Sequence, residues 1–133
     1  MIAGGGNPTG GSFTGPAQSI EIQGDHAYAY SGPISCSNSE TDLVNTKTGN
    51  YYLVAQVQFS GATASIVTED FYYRIRLNGA LVMFQLQDQS AINYAQRNNI
   101  NLLVPPYTDL RLTGESASTA RDQIVILVGR IYR

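Results

Sequence analysis

The residues able to do chemistry in this chain are few and scattered. His26 is its only histidine, set in Gly24-Asp25-His26-Ala27-Tyr28. Any nucleophile triad would have to be built around it. No Gly-x-Ser-x-Gly elbow and no His-Glu-x-x-His occurs, so a structural or surface histidine is the simpler reading. Glu69-Asp70 with Asp109 is the one candidate carboxylate pair for glycoside hydrolysis, but adjacent acids ahead of a strand usually form a solvated turn. Asp25, Asp42 and Asp88 fall in loops where Ca²⁺ could be held, yet without EF-hand or repeat spacing. Cys36 is the lone cysteine. It excludes an intrachain disulfide, and with His26 it falls short of a zinc ligand set. The Gly-rich start has neither the Lys-Ser/Thr of a P-loop nor a preceding strand. These residues predict no catalytic residue, no metal site and no cofactor. The chain is expected not to be an enzyme.

Composition narrows the alternatives. At 133 residues the chain is long enough for one domain with a real core. Apolar residues make up 43% and charged residues only 14%, well below the roughly 25% usual in soluble domains. Ser, Thr, Asn, Gln and Gly must therefore cover much of the surface, as in virion and secreted β-proteins and in subunits of assemblies. A net charge of −2 gives no electrostatic case for nucleic acid. No apolar run approaches the ~20 residues of a membrane span. The first residues, Met1-Ile2-Ala3-Gly4-Gly5-Gly6, lack the basic and apolar regions of a signal peptide. Synthesis in a cytoplasm is expected. Of eight basic residues seven are Arg, which suits planar contacts at interfaces; codon bias accounts for this equally well.

The elements that must position these side chains are strands. Residues 1–17 hold six glycines and two prolines, too little apolar surface to offset ordering entropy. They read as a flexible arm anchored by Phe13, reaching toward a neighbouring subunit or serving as a plain tail. Residues 18–133 form one domain. Short strands are expected near 19–23, 26–35, 41–45, 51–59, 70–87 as a hairpin, 99–104, 108–113 and 123–132, with turn residues between them. In the strand 51–59, Leu53, Ala55, Val57 and Phe59 share one face; Leu110 and Leu112 point inward from 108–113. No segment of ten or more residues has a helical period. About eight antiparallel strands without helices predict an all-β sandwich of jelly-roll type.

The hairpin is the clearest of these elements. Asn78-Gly79 suits a type I′ turn, with positive φ at both central positions. Folding there places Leu77 opposite Ala80, Ile75 opposite Val82, Tyr73 opposite Phe84 and Phe71 opposite Leu86, all on an inner face. The outer face then carries Tyr72, Arg74, Arg76, Leu81, Met83 and Gln85. The strand 123–132 is apolar on both sides, with Ile124, Ile126 and Val128 on one and Val125 and Leu127 on the other. Such a strand is central or lies at a subunit interface. Nine tyrosines and no tryptophan fit an interface, a sugar-binding face or ordinary strand content. The candidate interface residues are Phe13, Tyr72, Arg74, Arg76, Leu81, Met83, Val125 and Leu127.

From Thr48 to Tyr132 the punctuation is distinctive. Thr48-Gly49-Asn50-Tyr51-Tyr52 opens a strand, followed by Arg76-Leu77-Asn78-Gly79. Then come Leu103-Val104-Pro105-Pro106-Tyr107-Thr108, Leu110-Arg111-Leu112 and a closing apolar strand. This order resembles the small jelly-roll domains of tailed-phage virions, including head decoration (cement) proteins and fibre knobs. It is also similar in outline to the trimeric tumour-necrosis-factor/C1q-like jelly rolls. The resemblance implies a homotrimer on the capsid surface that contacts the major capsid protein or another virion protein and braces the shell. It carries no catalytic residues. The alternative is a carbohydrate-binding or receptor-binding β-sandwich module, lectin-like, on a tail or fibre.

Overall fold

The computed structural model describes residues 20–61, 70–87 and 99–133. The expected arm with Phe13, Glu69, Asp88 and most of the 88–99 connection lie outside the described residues. Among the described residues ten strands occur in chain order: β1 (Glu21–Gln23), β2 (His26–Tyr30), β3 (Ile34–Cys36), β4 (Thr41–Lys47), β5 (Tyr52–Gly61), β6 (Phe71–Leu77), β7 (Ala80–Gln87), β8 (Ile100–Val104), β9 (Asp109–Ser116) and β10 (Arg121–Tyr132). No helix occurs among the described residues. The strands form two antiparallel sheets. One runs β1-β2-β10-β5-β8, with β3 also paired to β10; the other runs β4-β9-β6-β7. Both sheets face one core, in a β-sandwich-like arrangement. Across it Phe59 of β5 stacks on Tyr73 of β6 with ring centroids 4.7 Å apart.

Alternation builds that core. Leu53, Ala55, Val57 and Phe59 are all buried, as are Leu110 and Leu112, because successive side chains of a strand point to opposite faces. The stretch 26–35 breaks at Gly32, whose φ is +66°, giving β2 and β3. Both still pair with β10. Buried Ser31 bridges the gap: its Oγ accepts the Val125 N–H at 2.9 Å and its own N–H donates to the Val125 carbonyl at 3.1 Å. The strand expected over 108–113 continues to Ser116. Gly114 allows this, since a Cβ there would stand 2.5 Å from Gln123 Oε1.

The turn at Asn78-Gly79 has φ of 52° and 83°, positive at both positions as a type I′ turn requires. The register beyond it differs from the alternation reading. Leu77 pairs with Ala80 and Arg76 with Leu81, but then Ile75 pairs with Met83, Arg74 with Phe84, Tyr73 with Gln85 and Tyr72 with Leu86. Val82 has no opposite number. This one-residue bulge reverses the faces of β7. Met83 and Gln85 turn toward the core side, and Phe84 and Leu86 turn outward.

Candidate interaction surface

The outer face of the six-stranded sheet follows from its register. One row across the strands is Tyr30, Ile126 and Gln58. The next is Glu21, Tyr28, Val128, Gln56 and Asn101. A third is Gln23, His26, Arg130, Val54 and Leu103, and a fourth pairs Tyr132 with Tyr52. Seven of these apolar or aromatic side chains stand well out into solvent, from Ile126 at 38% to Leu103 at 56%. Tyr28 and Tyr30 lie against each other, ring centroids 5.3 Å apart. Gln58 Nε2 donates to Asn99 Oδ1. Apart from Arg130, His26 and the edge residue Glu21, these rows carry only apolar groups, hydroxyls and amides. Arg130 lies 4.0 Å from Asp25.

The outer face of the four-stranded sheet is chemically different. Arg74 pairs with Glu115 at 2.7 Å and Arg111 with Asp42 at 2.5 Å. Arg76 grips Glu40 through Nε at 2.8 Å and Nη2 at 3.0 Å. Thr113 Oγ1 adds a third donor to Glu40 at 2.7 Å. The Arg76 hydrogen bonds, helped by Thr113, hold the Glu40 carboxyl at about 2 against the opposing effect of burial. Only the β7 margin of this face is apolar. There Phe84 stacks near Tyr72 at 6.1 Å, with the Arg74 guanidinium 5.2 Å from the Phe84 ring centroid.

The residues expected at an interface are thus dispersed. Tyr72, Arg74 and Arg76 are on the outer face of β6, but both arginines are occupied by carboxylates of this chain. Leu81 is half exposed. Met83 is on the inner side. Val125 and Leu127 are fully buried core residues, so the exposed face of β10 belongs to Ile126 and Val128. A sequence signal for this existed: Asp122 and Arg130 share parity with Ile126 and Val128, which marks that side as the wet one. The large aromatic and aliphatic face assembled from β2, β5, β8 and β10 had no such signal, because it is built by pairing across the sheet.

The chemically capable residues come together no better. Asp70 precedes β6 and Asp109 opens β9, which pair so that Phe71 meets Ser116 and Leu77 meets Leu110. The two carboxylates are therefore at opposite ends of a seven-residue strand, roughly 20 Å apart. His26 is exposed beside Arg130. Cys36 is buried, donates to the Ile34 carbonyl at 3.4 Å, and its thiol is pushed up to about 12 by burial and then by Asp122. Among the described residues no three His, Cys, Asp or Glu side chains group to hold a metal ion. No protein-family model matches the chain, and no curated protein matches its sequence.

Proposed function

We propose that this chain is a non-enzymatic virion structural protein, a capsid decoration subunit that trimerises on a phage head and stabilises it. The observation that carries this reading is the broad, nearly uncharged aromatic and aliphatic face of the six-stranded sheet. A contiguous apolar patch at the upper end of what monomers expose, rimmed by polar residues, marks an interaction site. The jelly-roll part of the reading is supported by strand order. Counting β2 and β4–β10 as eight main strands, the sheets run first-eighth-third-sixth and second-seventh-fourth-fifth, the order of two interleaved Greek keys. Light scattering on the eluted full chain tests the oligomer. The expected mass is three times the 14.4 kDa of one chain. A monomer at tens of micromolar overturns the reading. Cryo-electron microscopy of the assembled particle tests the location, with density expected at three-fold or quasi-three-fold positions of the shell.

The paired rings of Tyr28 and Tyr30, with Tyr52 and Tyr132 on the same face, favour a second reading as a carbohydrate-binding module, since flat aromatic faces stack on sugars. A glycan array distinguishes the two; binding there with a monomeric chain in solution supports the second.

A further inference from the structure

Two unlike apolar patches lie on this one chain. The first is the flat face just described, with Tyr30, Val54, Leu103, Ile126 and Val128 at its centre. The second is a ridge along the outer edge of β7. Among the described residues that strand pairs only with β6, and Leu81, Val82, Phe84 and Leu86 along it are each 45–50% exposed. From Ala80 to Gln87 it contains no charge and no proline. Sheet edges are normally guarded against strand addition by charges, prolines or shortness. The other edges are guarded in this way: β4 carries Asp42 and Lys47, β8 runs into Pro105-Pro106, β1 has three residues including Glu21, and β3 is three residues long. Among the described strands β7 is the unguarded edge.

Resting on the oligomer reading above, we infer that copies of this chain associate heterologously, with the β7 edge of one copy seated on the outer face of the six-stranded sheet of the next. The occupant follows from complementary chemistry. An edge strand presents unpaired backbone N–H and C=O groups, which need neutral partners on burial. Gln56, Gln58, Asn101 and the tyrosine hydroxyls supply neutral donors and acceptors across the receiving face. The β7 edge brings no charged side chain, and the one arginine of the receiving face, Arg130, lies 4.0 Å from Asp25 of its own chain. Covering the ion-paired face of the four-stranded sheet instead would desolvate three arginine–carboxylate pairs, a cost their attraction does not reliably offset. The exposed apolar side chains of the receiving face amount to on the order of 600 Å², close to the ~800 Å² each partner of a standard interface buries. Because the two patches differ, each copy offers its edge to one neighbour and its face to another. Such a contact builds a closed ring rather than an isologous pair when the rotation closes.

The experiment uses two full-length variants, read by sedimentation and by thermal unfolding. The face variant carries Val54→Lys and Val128→Lys; the edge variant carries Val82→Lys and Phe84→Glu. All four positions are surface positions, so both variants are expected to keep a cooperative transition. Each alone is expected to fall to one-third of the wild-type mass. Mixed in equal amounts they are expected to form a 1:1 heterodimer, because one intact edge then meets one intact face. Asn45→Lys, on the ion-paired face, is expected to leave the wild-type mass unchanged. If the edge variant still associates by itself, the contact is face to face and the heterologous inference fails while the oligomer reading stands. If the wild-type chain is a monomer, both fail. Amide exchange on the wild-type chain, dilute and at tens of micromolar, provides a readout independent of variant folding. Edge amides of β7 are expected to slow with concentration, and unchanged exchange there overturns the proposal.

Discussion

The two outer faces of this sandwich solve the same problem in opposite ways. Each sheet has to present one side to water. The four-stranded sheet does so with arginines held by carboxylates from neighbouring strands: Arg74 to Glu115, Arg76 to Glu40 and Arg111 to Asp42. The six-stranded sheet presents tyrosines, valines, isoleucine and amides, with one arginine in its middle. The first surface is complete within one chain. The second gains most when water leaves it. Six charged side chains are tied up in ion pairs on one sheet, and that asymmetry is why the proposed contact is placed on the other.

The sharpest way to break the comparison is within β10 itself, whose alternate residues serve the core and the proposed contact. Leu127→Ala removes a fully buried side chain and is expected to cost about 2–5 kcal/mol in denaturant unfolding. Val128→Ala, one residue on and 49% exposed, is expected to cost less than about 0.5 kcal/mol in the dilute chain while weakening self-association. Equal losses at the two positions would refute the assignment of faces.

Between these extremes lies the ion-paired face. Glu40→Gln leaves Arg76 without its bidentate partner and is expected to lower stability by less than Leu127→Ala does, because solvent screens the pair. The pH dependence has a definite sign. Because the folded Glu40 carboxyl sits at about 2, below its ordinary 4.5, its contribution is fully present above pH 4.5 and disappears as pH falls through 2. Melting curves of the wild type and Glu40→Gln are therefore expected to differ above pH 4.5 and to converge on acidification. The smallest effect is expected at Tyr73. Its hydroxyl is buried without a hydrogen-bond partner, so Tyr73→Phe should be neutral or slightly stabilising while keeping the ring stacked on Phe59. A clear loss in thermal unfolding would show that the hydroxyl is satisfied.

These contrasts also explain what could be read in the sequence. Asn78-Gly79 was legible because few residues accept positive φ at two successive positions. Leu53 to Phe59 was legible because polar partners alternate with it. The face of Met83 was not legible: Ala80 to Leu86 is apolar at nearly every position, so hydrophobic pattern sets no register, and a bulge at Val82 costs the pattern nothing. Val125 and Leu127 were ambiguous for the same reason, with apolar residues on both sides of β10. The receiving face was illegible as a unit. Its members come from β2, β5, β8 and β10, and only their pairing makes Tyr30, Ile126, Val128, Val54 and Leu103 neighbours.

The position of β10 has a kinetic consequence. Its partners Tyr30 and Gln58 meet Ile126 from far earlier in the chain, so the six-stranded sheet forms only after long loops close. Folding by such non-local pairing proceeds in milliseconds to seconds, against microseconds for local structure. During that interval Ile124–Val128 and Ala80–Leu86 are both uncovered, and each is an uncharged stretch of strand-forming side chains able to pair with the wrong molecule. Refolding yield is therefore expected to fall as protein concentration rises.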